Sequence, residues 1–352
     1  MMTLSFPAKS LLKLLKLIFV SLLSLCVVAI KPINAQTTAD NHIVDIGWNS
    51  TGDLIATMDY SGTIRVVTVS NQQVLFMSND NGYGSSFSWH PLFPEQLAIS
   101  TLKHGTSLID VNTGFSLRRF DTDANTYSVS FHPSGEYIVT SHGTPNDGPL
   151  ARGYIVVAEI STGTPLLVFE EISNRVVSAE WSPEGNFIAG LNVGELGEVV
   201  VWNFITGEIV TRLSEMQQAN DDQLGTYYVG NISNFSWNPH GETIILATEL
   251  QLVTWDTATF DRLNSSEFLL IIEDIDWNPV NQLVAVAKGD EQQIQLVNTC
   301  SGQVVDTVAT TFAVSSVSWN PTGTQLAFAG NADGLFEVLT INSEIIGLPP
   351  IK

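Results

Sequence analysis

Cysteine is nearly absent: the 352 residues include two, Cys26 and Cys300. That scarcity excludes a disulfide framework and a thiolate zinc site. Bases are scarce as well, 14 Lys and Arg against 36 Asp and Glu, for a formal net charge of −22. A phosphate-binding surface needs clustered Lys and Arg, so nucleic acid is excluded as a partner, and an anionic membrane surface with it. Charged residues make up 14% and hydrophobic ones 44%, which excludes disorder and leaves material for a large core. The length allows two ordinary domains or one large repeat domain. Catalytic signatures are missing too: no Gly-x-Ser-x-Gly elbow, phosphate-binding loop or His-Glu-x-x-His occurs. Ser100-Thr-Leu-Lys103 spells Ser-x-x-Lys, but at a strand position, where a helix-borne nucleophile cannot be built.

Long hydrophobic runs are limited to one, Leu17 to Ile30, preceded by Lys9, Lys13 and Lys16. As a helix it would rise about 21 Å, short of the roughly 30 Å hydrocarbon core. Lys31-Pro32-Ile33-Asn34-Ala35-Gln36 follows, with a helix-breaking Pro and a small residue at a cleavage point. This order predicts a secretory signal over 1–35, with 36–352 as the mature domain. An uncleaved amino-terminal anchor is the alternative, with lysines near Leu11 to Leu15 snorkelling. Residues 36–352 then carry ten bases against all 36 acids.

Across the rest of the chain one pattern recurs seven times. Small and apolar residues alternate up to an aromatic, then come a turn rich in Pro and Gly and an apolar run. The aromatics are Trp48, Trp89, Phe131, Trp181, Trp237, Trp277 and Trp319, 40 to 56 residues apart. Each unit reads as four short strands. Strand one alternates, as in Val44/Ile46/Trp48 against Asp45/Gly47. Strand two is apolar on both faces, as in Leu97-Ala98-Ile99, and such a strand is covered on both sides. Strand three is rich in Val and ends in a Thr-Gly or Ser-Gly turn, for example Thr206-Gly207, before strand four. Four-stranded antiparallel units at this period predict an all-β fold, a seven-bladed β-propeller.

At these residues the chain resembles the WD-repeat (WD-40) family across 43–341. The nearest stretches are Trp181-Ser-Pro-Glu-Gly185 with Val201-Trp202-Asn203, and Trp237-Asn-Pro-His-Gly241 with Thr254-Trp255-Asp256. Only Trp255-Asp256 is a true Trp-Asp pair, and no Gly-His dipeptide opens a repeat. Asp59 and Asp333 match the turn aspartate of the family without its usual partners. The turn also resembles that of exported TolB-like propellers, the second choice. For ring closure the outer strand of the seventh unit is either Glu344–Leu348 or the segment Gln36–His42, the arrangement common among WD-repeat relatives.

The resemblance implies a non-enzymatic, protein-binding scaffold, here exported to a secreted or periplasmic location. The alternatives are an enzyme on a propeller platform, of lyase or quinoprotein type, and a structural module of an envelope assembly. The few histidines and bases argue against the enzyme. His90, His132 and His240 occupy the repeat turn, a capping position, while His42, His104 and His142 are scattered without metal-ligand spacing. Asp121-x-Asp123-x-Asn125 begins like a calcium loop, yet Thr126 and His132 stand where Gly and Glu are needed. No cofactor is therefore expected, with a divalent cation such as calcium as the weak option. Loop length varies on one face only, at 79–85, 120–126, 141–153, 190–198 and 214–231, and variable loops on a rigid scaffold are where recognition resides. The candidate binding residues there are Asp80, Asp121, Asp123, Asp147, Glu195, Asp221, Asp222, Tyr227 and Tyr228. With Tyr83 and Tyr127 as further anchors, this acidic face is suited to a cationic segment of a partner protein.

Overall fold

A computed structural model describes residues 27–30, 42–79, 82–120, 125–143, 152–173, 175–193, 197–215, 217–221, 225–229, 231–248, 251–267, 272–289, 291–330 and 334–341. Seven four-stranded antiparallel sheets form a ring, in agreement with the repeat pattern. Blades one to six run over 43–79, 84–120, 125–173, 175–213, 232–267 and 272–309. Blade seven is built from Val314–Trp319, Gln325–Gly330, Phe336–Thr340 and Val27–Ile30.

The alternation in strand one becomes a division of labour between neighbours. Ile46, Phe87, Val129, Ala179, Phe235, Ile275 and Val317, two positions before the aromatics, are all buried. The aromatic itself reaches the preceding blade. Trp48 Nε1 donates to Ser318 O at 3.0 Å, Trp89 Nε1 to Gly47 O at 3.1 Å and Trp277 Nε1 to Ser236 O at 3.4 Å. The first of these bonds joins blade one to blade seven and closes the ring, together with Ser315 Oγ donating to Ile43 O at 2.6 Å. Strand two is buried on both faces, as its sequence required: Leu283–Lys288 has no residue outside the core.

The turn after the aromatic is a second seam between blades. His90 uses Nδ1 to accept the Leu92 and Phe93 N–H groups and turns Nε2 to Gly135 O at 3.1 Å. His132 repeats this, with Nδ1 accepting from Ser134 N and Nε2 3.3 Å from Gly185 O. Asn278 Nδ2 donates to Gly323 O at 2.8 Å. Because the neighbouring side chain lies against the turn, Gly135 has no room for a Cβ, which would come within 2.3 Å of the His90 ring; its φ of +72° also favours glycine. The capping role expected for His90 and His132 is thus seen, and it extends to the next blade. On the same face, Asp256 Oδ1 accepts from Ala258 N and Thr259 N, so the one Trp-Asp pair caps a strand three-to-four turn.

Two segments differ from expectation. Residues 214–231, read as a loop, contain a hairpin that belongs to no blade, Gln217–Asp221 paired with Gly225–Val229. The β-prone run Thr226-Tyr227-Tyr228-Val229 on the return favours pairing over a structureless loop. The outer strand of blade seven is Val27–Ile30, with Val27 opposite Leu339 and Ile30 opposite Phe336. A short β-branched run suits that edge. Of the two segments anticipated there, 344–348 and 36–41 lie outside the described residues. Cleavage after Ala35 would remove Val27–Ile30 and vacate this edge, so the strand and the cleaved leader are alternative fates of the same residues.

Candidate functional site

Every inner strand carries a register irregularity just before the third residue preceding its aromatic, between Ile43 and Asp45 in blade one and between Ile272 and Asp274 in blade six. The bulge sets the residue that follows it toward the next blade, beside the central channel. Two stacked rings result. The first holds Asp45, Ser86, Ser128, Ser178, Asn234, Asp274 and Ser316; the second holds Gly47, Ser88, Ser130, Glu180, Ser236, Asp276 and Ser318. All are small or polar, and none is basic.

These side chains serve the inner edges of the sheets, whose backbone N–H groups have no fifth strand to pair with. Asp45 Oδ2 accepts from Phe87 N at 3.2 Å, Ser128 Oγ from Ala179 N at 2.8 Å and Asp274 Oδ2 from Val317 N at 3.0 Å. In the second ring Asp276 Oδ2 accepts from Trp319 N at 2.6 Å. Asp274 is the most heavily used: Ser316 Oγ donates to it at 2.9 Å and Asn234 Nδ2 at 2.7 Å, so it ties blades five, six and seven together. Among the described residues Glu180 has no such hydrogen bond.

Four carboxyl groups therefore share one channel with no base among them. Removal from bulk water pushes Asp45, Glu180 and Asp276 up to about 8 and Asp274 to about 6. Repulsion from Asp274 adds to the rise at the other three, while the bonds donated to Asp274 hold its own value lower. The folded ring binds these protons more tightly than the unfolded chain does, so the stability they contribute is present at low pH and lost as pH rises through about 6 to 8. Burial acts oppositely on the histidines. His142, between Thr126 and Thr140 and stacked on Tyr154, is lowered to about 4, and His90 and His132 are lowered as well. Their contribution is lost only below the unfolded value of about 6.5. Between about pH 6.5 and pH 8.5 the carboxyl groups act alone, and stability should fall by on the order of 1–2 kcal/mol. Thermal melts across that window test this; a flat profile would remove the coupled channel.

Most of the residues named on the variable face, Asp80, Asp121, Asp123, Asp147, Glu195 and Asp222, lie outside the described residues. Asp221, Tyr227 and Tyr228 fall on the hairpin, with Asp221 opposite Gly225, Ala219 opposite Tyr227 and Gln218 opposite Tyr228. Backbone pairing thus brings three of the nine together. Tyr83 stands on the same face, exposed, with its ring edge-on to Tyr60 at 5.9 Å and Lys103 Nζ 4.5 Å above it. Glu198 and Glu215, which fall within the variable segments 190–198 and 214–231, are paired with Arg212 at 2.5 Å and Arg262 at 3.3 Å. Of the calcium-like stretch, 121–124 lie outside the described residues, and Asn125 opens the inner strand of blade three. Among the described residues no group of three or more His, Cys, Asp or Glu is placed to hold a metal ion. Ser100 lies buried on a strand, hydrogen-bonded to Thr106 at 2.7 Å, and Cys300 is an exposed free thiol.

Seven four-stranded blades, an aromatic anchor at the end of each inner strand and a capped turn at the end of strand three define a seven-bladed β-propeller. No family model matches the chain. It is similar to THO complex subunit 3 of Arabidopsis thaliana, 21% identical over 295 residues, which cover 81% of this chain and 85% of that protein.

Proposed function

We propose that the protein is an exported, non-enzymatic interaction scaffold that docks a cationic segment of a partner protein on its variable-loop face. The hairpin Gln217–Val229 carries this reading. It is an added element that contributes to no blade, in a ring that is closed without it. An inserted pair of strands on a rigid platform is a recognition element in physical terms, since its position is set while its sequence is free. In sequence, Asp221 and Asp222 give this segment negative charge, and Tyr227 and Tyr228 give it amphipathic residues. The exposed Tyr60–Tyr83 pair extends the aromatic surface on the same face. The related plant protein is by name a subunit of a complex, which agrees with an interaction role. Export rests on the lysine-flanked apolar run ending before Ala35.

A partner recovered from the exported fraction should lose about tenfold or more in affinity when Asp221→Asn and Asp222→Asn are combined. It should also bind more weakly as salt is raised. Replacing 217–229 by a short Gly-Ser link should abolish binding with little change in melting temperature. Undiminished affinity in both variants, with loss on altering the opposite turns, would place the interface on the other face.

A further inference from the structure

On the outer wall of the ring, one blade edge differs from its neighbours. An outermost strand shows a row of backbone N–H and C=O groups to solvent, and such edges are ordinarily guarded by charge or proline. Blades two to six follow this rule, with Arg118 and Arg119, Pro165, Arg212, Arg262 and Asp306 on their outer strands in turn. The outer strand of blade one, Val74–Asn79, has no charged residue. Its Val74, Leu75 and Met77 are exposed, Met77 by 61%. No acid occurs between Asp59 and Asp80.

Beside this edge lies an arginine without a counter-charge. The register aligns Ile46, Thr57, Arg65 and Met77 in one row across blade one, and Trp48, Ile55, Val67 and Val74 in the next. Both rows face blade seven, since Ile46, Trp48, Ile55 and Val67 pack with its Phe336 and Val338. The first row runs from buried Ile46 and Thr57 through half-buried Arg65 to exposed Met77. Arg65 has no hydrogen bond, ion pair or ring contact among the described residues. Every other described base has a partner, as Arg212 has Glu198 and Arg118 the Ser161 carbonyl. In a chain with 36 acids and 14 bases, an unpaired guanidinium beside an open edge is placed to meet a carboxylate from outside.

We infer that the outer edge of blade one takes up an extended segment of a partner protein as a fifth strand, with a Glu of that segment paired to Arg65 and apolar residues against Val74 and Met77. This surface is separate from the hairpin face and asks for the opposite charge. The residue opposite Met77 on the added strand continues the row of Arg65, two strand spacings or about 10 Å away. Glu and Arg side chains together span that gap, over the top of Met77. The same edge of a second copy brings no carboxylate, so it leaves Arg65 unpaired.

The probe is a fluorescein-labelled, end-blocked heptapeptide, Thr-Val-Thr-Glu-Thr-Val-Thr, in which alternation sets Glu and both Val on one face. A counterpart carries Gln at its centre. Binding to the full chain is read by fluorescence anisotropy. At low salt the Glu peptide is expected to bind about tenfold more tightly than the Gln peptide, and the ratio should shrink as salt rises. A net charge of −22 works against that order elsewhere on the surface, so the preference reports on Arg65. Arg65→Gln should cancel it. Met77→Glu, which puts a carboxylate of the chain itself beside Arg65, should abolish binding of the Glu peptide. Melting temperatures confirm that both variants are folded. Met77→Glu should leave the sedimentation of the free chain unchanged, and deleting 342–352 should leave the peptide affinity unchanged. A dimer that Met77→Glu dissolves would give the edge to a second copy, and binding that appears only after the deletion would give it to the chain's own tail; either overturns the inference. So do equal affinities for the two peptides, a preference that survives Arg65→Gln, or no binding of the Glu peptide at about 1 mM.

Discussion

Deleting residues 314–352 should abolish cooperative unfolding altogether, leaving a chain without a sharp melting transition. Blade seven is held on both sides. Toward blade one, Ala327, Ala329, Phe336 and Val338 pack with Ile43, Ile46, Trp48, Ile55 and Val67 in one cluster. Toward blade six, Val314, Val317, Trp319, Leu326, Phe328, Leu339 and Ile341 pack with Ala285, Ala287, Ile294, Leu296, Val308 and Phe312. Removal therefore lays open two apolar sheet faces at once, and it takes away the acceptor of Trp48 Nε1 and the donor to Ile43 O. At about 25 cal/mol per Å² of apolar surface, two newly exposed faces outweigh a net stability of about 5–15 kcal/mol. Circular dichroism and calorimetry on the truncated chain decide the matter. An unchanged, sharp transition would show that six blades stand alone and that closure is dispensable.

The ring was legible in the sequence because each blade repeats the same local physics. Trp181-Ser-Pro-Glu-Gly185 announces an aromatic anchor, a turn and the start of a doubly covered strand, and the structure places each of these there. The closing strand was not legible, since pairing at an edge needs only a short β-prone run. Val27–Ile30 satisfies that need as well as other segments of the chain would. The channel was hidden for a related reason. Asp45 and Gly47 alternate with Ile46 and Trp48, which reads as a strand with one wet face. In a propeller that face is turned to the next blade beside an enclosed channel, where a carboxylate loses much of its water. Stacking the seven inner strands by their aromatics would have shown it: the third and first positions before the aromatic are small or polar in every copy.

The channel acids are not equivalent, and substituting them one at a time should give effects of opposite sign. Asp274 accepts from Asn234 Nδ2, Ser316 Oγ, Val317 N and Ile275 N, spanning three blades. In Asp274→Ala these donors lose their acceptor inside the ring, and hydrogen bonds to a charged acceptor are worth about 1.5–3 kcal/mol each. Water in the channel can recover some of them, so a net loss of about 3–5 kcal/mol is expected near neutral pH. At about 2–4 °C per kcal/mol this is a drop of roughly 10 °C in melting temperature. Glu180 is the contrary case. Among the described residues it accepts no hydrogen bond of this kind, and the same desolvation and the charges of Asp276, Asp274 and Asp45 act against its ionised form. Glu180→Gln keeps the shape and removes that repulsion. The variant should match or exceed the natural sequence in stability at about pH 8.5, by on the order of 1 kcal/mol, with the difference shrinking as pH falls and vanishing only below the unfolded carboxyl value of 4.5. A substitution at Asp274 that costs no more than one at Glu180 would mean that the carboxylates line the channel without joining its blades.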